Sequence, residues 1–143
     1  MIKIVLVNLL ISMLCVIVHY EFLYHSTDLL PKLNIRHRFK ILLAVFIVLT
    51  AHIIEIWIYA YGYLTMHNSA EWGSLHGNYD GSIFDSMYFS FATFTTLGFG
   101  DIQPIGEIRF LVGVESLIGF VLNTWSASFL FFEMQRFWNN KLD

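Results

Sequence analysis

The sequence predicts an all-α membrane protein with three transmembrane helices, and a short re-entrant helix and glycine-bearing stretch between the second and third. Composition is the first observation behind this. The 143 residues are 57% hydrophobic and only 13% charged, with 14 Phe, 7 Tyr and 4 Trp, whereas soluble domains run nearer about 45–50% apolar and about 25% charged. Segmentation is the second: three apolar runs are long enough to cross a hydrocarbon core of about 30 Å. The third is the stretch 95–101, Thr95-Thr96-Leu97-Gly98-Phe99-Gly100-Asp101, between two of those runs.

The first apolar segment covers residues 2–22, interrupted by Asn8, Ser12, Cys15 and His19, within a helical unit spanning 1–24. Lys3 gives it a thin positive start like that of a secretory signal, but bulky Tyr20-Glu21-Phe22-Leu23-Tyr24 follows where a small-residue cleavage site would be needed, which favours a retained helix. Lone Cys15 provides neither a disulfide framework nor a thiolate metal site within one chain. Residues 25–38 then read as a loop, with Ser26, Asp28, Pro31 and Asn34 as turn formers. Lys32, Arg36, Arg38 and Lys40 make that region basic, hence cytoplasmic by the positive-inside rule.

The second helix is expected over 39–64, with Trp57, Tyr59, Tyr61 and Tyr63 toward the far interface. Residues 65–82 form a polar exterior loop carrying Gly73, Gly77, Gly81, Glu71 and Asp80. The run 83–94 is too short to cross, so it suits a re-entrant helix, with Asp85 in its first turn meeting exposed amides. Pro104 and Gly106 mark a turn, and the last helix covers 105–135 before a short tail, 136–143, whose Arg136 and Lys141 point to a cytoplasmic end. The N-terminus is then outside. The first helix has no regularly spaced arginines, which excludes a voltage sensor of the usual kind. No stretch suits a soluble ligand domain, and no basic cluster with interleaved aromatics suggests nucleic acid.

Backbone leaves the helical state at membrane depth only where protein buries it or water receives its polar groups. Gly98 and Gly100, at alternate positions beside threonines and an aspartate, allow successive carbonyls to turn toward one axis, which fits a cation path. One chain supplies one strand of such a path, so several symmetric copies are needed to enclose it.

Thr96, Leu97, Gly98, Phe99, Gly100 and Asp101 resemble, in order, the threonine-valine-glycine-tyrosine-glycine-aspartate filter of the potassium channel superfamily. The last hundred or so residues are similar to its pore domain, of the two-pore-domain-like or inward-rectifier-like kind, preceded here by an additional helix. Leu97 and Phe99 depart from the commoner valine and tyrosine but keep the backbone donors. The resemblance implies a homotetramer that passes K+ through the cell membrane without a cofactor. Backbone carbonyls of Thr96, Leu97, Gly98 and Phe99 would coordinate the ion, with Gly100 completing the filter and Thr95 and Asp101 supporting it or forming its outer mouth. Glu115-Ser116-Leu117-Ile118-Gly119 followed by Asn123 is similar to an inward-rectifier inner-helix pattern, which sets Asn123 on the cavity wall. An interhelical hydrogen bond is the alternative for Asn123, and Gly119 reads as a hinge or as a close-packing position. A poorly selective cation channel and a non-conducting regulatory subunit are the other functional readings.

Three ionisable groups fall deep in the bilayer. His52 and Glu55 share a helix face, and Glu115 lies at a comparable depth on the last helix, so they are expected to form a hydrogen-bonded cluster that is either proton-sensitive or purely structural. The His-x-x-Glu spacing lacks the second histidine of a zinc-protease helix, so an enzyme is not expected.

Overall fold

The computed structural model describes residues 2–69 and 71–139, the side chains of 137–139 excepted; the basic tail residue Lys141 and the rest of 140–143 lie outside the described residues. Three helices are long and apolar enough to cross a membrane: α1 (Ile2–Lys32), α2 (His37–His67) and α4 (Ile108–Asn139). Between the last two lie strand β1 (Ser74–Gly77), helix α3 (Ile83–Phe94) and strand β2 (Ile102–Ile105). The chain is thus a multi-pass membrane protein with a short helical excursion between two spans.

α1 buries Ile4, Asn8, Ser12, Cys15, His19, Leu23, Ser26 and Leu30, spaced by threes and fours along one stripe. Leu6, Leu9, Leu10, Met13 and Ile17 on the remaining faces are exposed. The pattern inverts that of a soluble helix. Lipid is as apolar as leucine, so small and polar residues rather than bulky apolar ones direct one helix onto another.

α1 is longer than the expected unit, running through residues 25–32 instead of turning there. Ser26 Oγ donates to the Phe22 carbonyl at 2.6 Å and Thr27 Oγ1 to that of Leu23 at 3.1 Å, so these hydroxyls are satisfied inside the helix rather than breaking it. Pro31 falls in the last turn, and its carbonyl accepts from Lys40 Nζ at 3.2 Å. A cation at a helix C-terminus is favourable. The basic loop of 25–38 therefore shrinks to residues 33–36, and α2 begins at His37.

α2 buries Ala44, Val48, Ala51, Glu55, Tyr59, Tyr63 and Met66 along one stripe facing α1, α3 and α4. The all-α expectation needs one correction. β1 and β2 pair antiparallel, Ser74 opposite Ile105 and Gly77 opposite Ile102, so residues of the expected exterior loop and residues 102–105, the last of them the expected first residue of the final helix, are joined as a small ladder. Four-residue strands are too short to show a period, and their pairing is not local. α4 starts three residues later than expected, at Ile108, whose amide donates to the Trp72 carbonyl at 2.7 Å.

α3 starts from a built cap. Ser82 Oγ accepts from the Asp85 amide at 3.1 Å, Asp85 Oδ2 from the Asp80 amide at 2.8 Å, and Asp80 Oδ1 from the Ser82 amide at 2.7 Å. Hydrogen bonding from the Ser82 hydroxyl, and next from its amide, holds the Asp80 carboxyl below the usual carboxylate range. Tyr59, Tyr63, Phe89, Phe94, Leu111 and Leu122 fill the core where α2, α3 and α4 meet.

Candidate functional site

Residues 95–101 follow α3 directly, and their backbone alternates in handedness. Thr96, Gly98 and Gly100 have φ of 59°, 53° and 80°, while the residues between them have negative φ. Thr96 is the one non-glycine residue with positive φ among the described residues, a conformation that persists only where surroundings enforce it. Alternation of this kind turns successive peptide planes so that carbonyls share one edge.

The amides of the loop are turned the other way. Those of Thr95, Thr96 and Gly98 donate back to the Phe91, Thr93 and Ala92 carbonyls of α3 at 3.1, 2.9 and 3.1 Å. Among the described residues, the carbonyls of Thr96, Leu97, Gly98 and Phe99 accept no hydrogen bond, while that of Gly100 meets Gln103 Nε2 at 3.5 Å. Four backbone oxygens are therefore available to a cation. The C-terminal end of α3 adds its partial negative charge beside them.

Asp101 is tied on both sides. Its carboxylate accepts from the Tyr88 hydroxyl at 3.0 Å and its carbonyl from the Asn78 amide at 2.9 Å, while the Tyr88 and Phe99 rings stack at 6.1 Å and 7°. Leu97 and Phe99 are nonetheless 65% and 64% exposed on the single chain, beside a cleft of about 270 Å³ between the loop, α3 and α4.

Behind the loop, Glu115 is fully buried and joins three helices. Its carboxyl group meets Ser90 Oγ of α3 at 2.5 Å and the Tyr63 hydroxyl of α2, and Ser90 Oγ also lies 3.1 Å from the Ile56 carbonyl. Ser90 has one proton for two acceptors. Every contact is satisfied when Glu115 is protonated: it donates to Ser90, Ser90 donates to Ile56 and Tyr63 donates to Glu115. The charge that burial would penalise then disappears. Gly119 lies one turn farther along α4 against the Phe94 backbone, Ser116 Oγ reaches the Thr93 carbonyl at 3.4 Å, and Asn123 is exposed on the chain surface.

The deep ionisable groups divide into two sites. Glu115 makes no hydrogen bond to His52 or Glu55; those two instead join His19 of α1 and Ser126 of α4. Glu55 Oε1 lies 2.9 Å from His19 Nδ1, and Oε2 lies 2.9 Å from His52 Nδ1. Ser126 Oγ lies 3.0 Å from His52 Nε2 and 3.4 Å from His19 Nε2. His19, Ser126, Tyr63 and Ser90 are site members that sequence reasoning missed. For His19 a signal existed, its place on the polar stripe of Asn8, Ser12 and Cys15; Ser126 gave none. One ligand atom each from His19, His52 and Glu55 lie within 4.8 Å of one another, as a metal site would need, but their nitrogens and oxygens are already engaged with each other.

No curated protein and no solved structure matches the chain. Residues 42–136, well over half of the 143, match a family described as ion channel, and the match covers α2 from Leu42 onward, the whole excursion with its 95–101 loop, and α4 up to Arg136. A family of pores carries out no catalysis, which agrees with a site built from backbone oxygens and buried braces rather than reactive side chains. The two later spanning helices and the carbonyl-bearing loop between them thus have their explanation in this membership: the chain belongs to the ion channel family.

Proposed function

We propose that four copies of this chain assemble around the 95–101 loop into a potassium-selective channel of the cell membrane. The observation that carries this reading is the alternation of positive φ at Thr96, Gly98 and Gly100 with the adjacent carbonyls free of hydrogen bonds. Carbonyls of Thr96, Leu97, Gly98 and Phe99 replace the hydration shell of K+, the transported ion, while close ion spacing keeps exit favourable. Thr95 and Asp101 support the two ends, and Asn123 faces the cavity. Exposed Leu97 and Phe99 favour assembly, because a neighbouring subunit would cover them.

The basic turn between α1 and α2 lies in the cytoplasm and the β1–β2 ladder outside, so the N-terminus is exterior and the C-terminus cytoplasmic. α1 packs at the periphery of the assembly. Reconstitution of the purified chain in planar bilayers under opposed potassium and sodium gradients tests the reading. A reversal potential close to that of potassium supports it. Near-equal permeabilities make the chain a poorly selective cation channel, and absence of current from intact tetramers makes it a non-conducting subunit.

A further inference from the structure

His19, Glu55, His52 and Ser126 form a closed circuit of four contacts: Glu55 to His19 at 2.9 Å, His19 to Ser126 at 3.4 Å, Ser126 to His52 at 3.0 Å, and His52 to Glu55 at 2.9 Å. Each contact joins two heteroatoms and needs one proton to be a hydrogen bond. Two neutral imidazoles and the serine hydroxyl supply three, so a fourth must come from solvent. It resides as an imidazolium beside the Glu55 carboxylate or as the Glu55 carboxyl itself, and in either form the circuit is complete and has no net charge. Three protons leave a charge of about −1 and one pair of facing lone pairs, and five leave about +1. At membrane depth a net charge is the expensive state, so the four-proton circuit is the stable one.

A divalent cation held by Glu55 and two neutral imidazoles would leave net positive charge and displace both Glu55 hydrogen bonds. Protons, not a metal, fit this cluster. The other titratable groups facing it are Cys15 of α1, whose Sγ lies 3.9 Å from the Glu55 carbonyl, and Tyr59 of α2; both are within electrostatic range of Glu55 and also of Glu115 of α4. α3 presents the Phe94 ring, 5.4 Å from His52, and α4 adds the Trp125 ring, 5.3 Å from His19.

We propose that this four-proton circuit is a latch that holds α1 to α4 and opens at its Ser126 corner when one proton leaves with rising pH. The His19–Ser126 contact is the longest of the four and parts first, whereas the His52–Ser126 contact and both Glu55 contacts persist, so α1 loses its tie to α4 while staying on α2. His52 also touches Phe94, the last residue of α3 before the 95–101 loop. The effect of the latch on current rests on the pore reading above; the latch itself does not.

The test is ¹⁵N-histidine NMR of the full chain in lipid bilayers between about pH 5 and 9, a range that brackets the ordinary histidine value. In the wild type, His19 and His52 change together over one pH interval. Ser126→Ala removes no titratable group, yet it separates the two responses by about one pH unit or more. Ser126→Thr restores the hydroxyl and the joint response. His19→Gln gives a second variant, in which His52 titrates over a different interval from the wild type. Independent titration in the wild type, or an unchanged profile in Ser126→Ala, overturns the latch. These readings need no current, so a chain that fails to conduct overturns the pore reading without touching this one.

Discussion

Gly119 of α4 lies against the carbonyl group of Phe94, the last residue of α3: a Cβ added there would stand 2.9 Å from the Phe94 carbonyl carbon and collide with its oxygen. The last helix can pass the end of α3 only because this side chain is missing. Close packing therefore accounts for the residue, and α4 runs on through it without a break.

Gly119→Ala is expected to destabilise the folded chain by about 1–3 kcal/mol through overpacking. Thermal unfolding in detergent checks this, with Gly113→Ala as control, since a Cβ at Gly113 meets nothing within 4 Å. Equal melting of the two variants would contradict the packing role.

Gly98→Ala is expected to abolish selective conduction for a different reason. Space is available on the single chain, but φ is 53°, where an alanine is strained by roughly 1–2 kcal/mol. Relaxation of that strain rotates the carbonyls on either side of the residue. Bilayer recordings under mixed potassium and sodium gradients should show selectivity lost while tetramers persist.

Glu115→Gln is expected to behave nearly as the wild type, because an amide can donate to Ser90 and accept from Tyr63 as the protonated acid does. Glu115→Ala leaves both hydroxyls short of a partner, at about 1–3 kcal/mol. Melting temperatures and reversal potentials of the two variants check this. Equal loss in both would show that a carboxylate charge is needed after all.

A cysteine at position 36 in a Cys15→Ala background should be labelled from the cytoplasmic side, and one at position 71 from the exterior. Membrane-impermeant thiol reagents applied to intact cells and to inverted vesicles decide it. Labelling of position 36 from outside would reverse the proposed orientation. Cys15 is fully buried, so its replacement serves only to silence the background.

The three spanning helices were legible because their apolar runs far exceed anything a soluble helix of this composition would carry. The end of α1 was not. Ser26 read as a turn residue, and only the fold shows its hydroxyl and that of Thr27 returning to carbonyls four residues back. The ladder was hidden for want of length, since Leu75 and Pro104 become neighbours only after α3 has been laid between them. In the buried groups, the pair His52 and Glu55 followed from their spacing on one helix, but depth alone misassigned the partner of Glu55. Equal depth fixes one coordinate; the rotation of α4 about its axis fixes the other, and it turns Glu115 toward Tyr63 and Ser90 while bringing Ser126 to the histidines.

The stretch of only four residues between α1 and α2 bears on how the protein is made. A connection that short commits the two helices to an antiparallel hairpin as soon as both have left the ribosome. Lys40 against the Pro31 carbonyl and His19 against Glu55 can then form before α4 exists, which hides the polar face of α1 from lipid at the earliest moment. α4, synthesised after both, meets a surface already prepared for it. The order of synthesis thus becomes an order of packing within the chain.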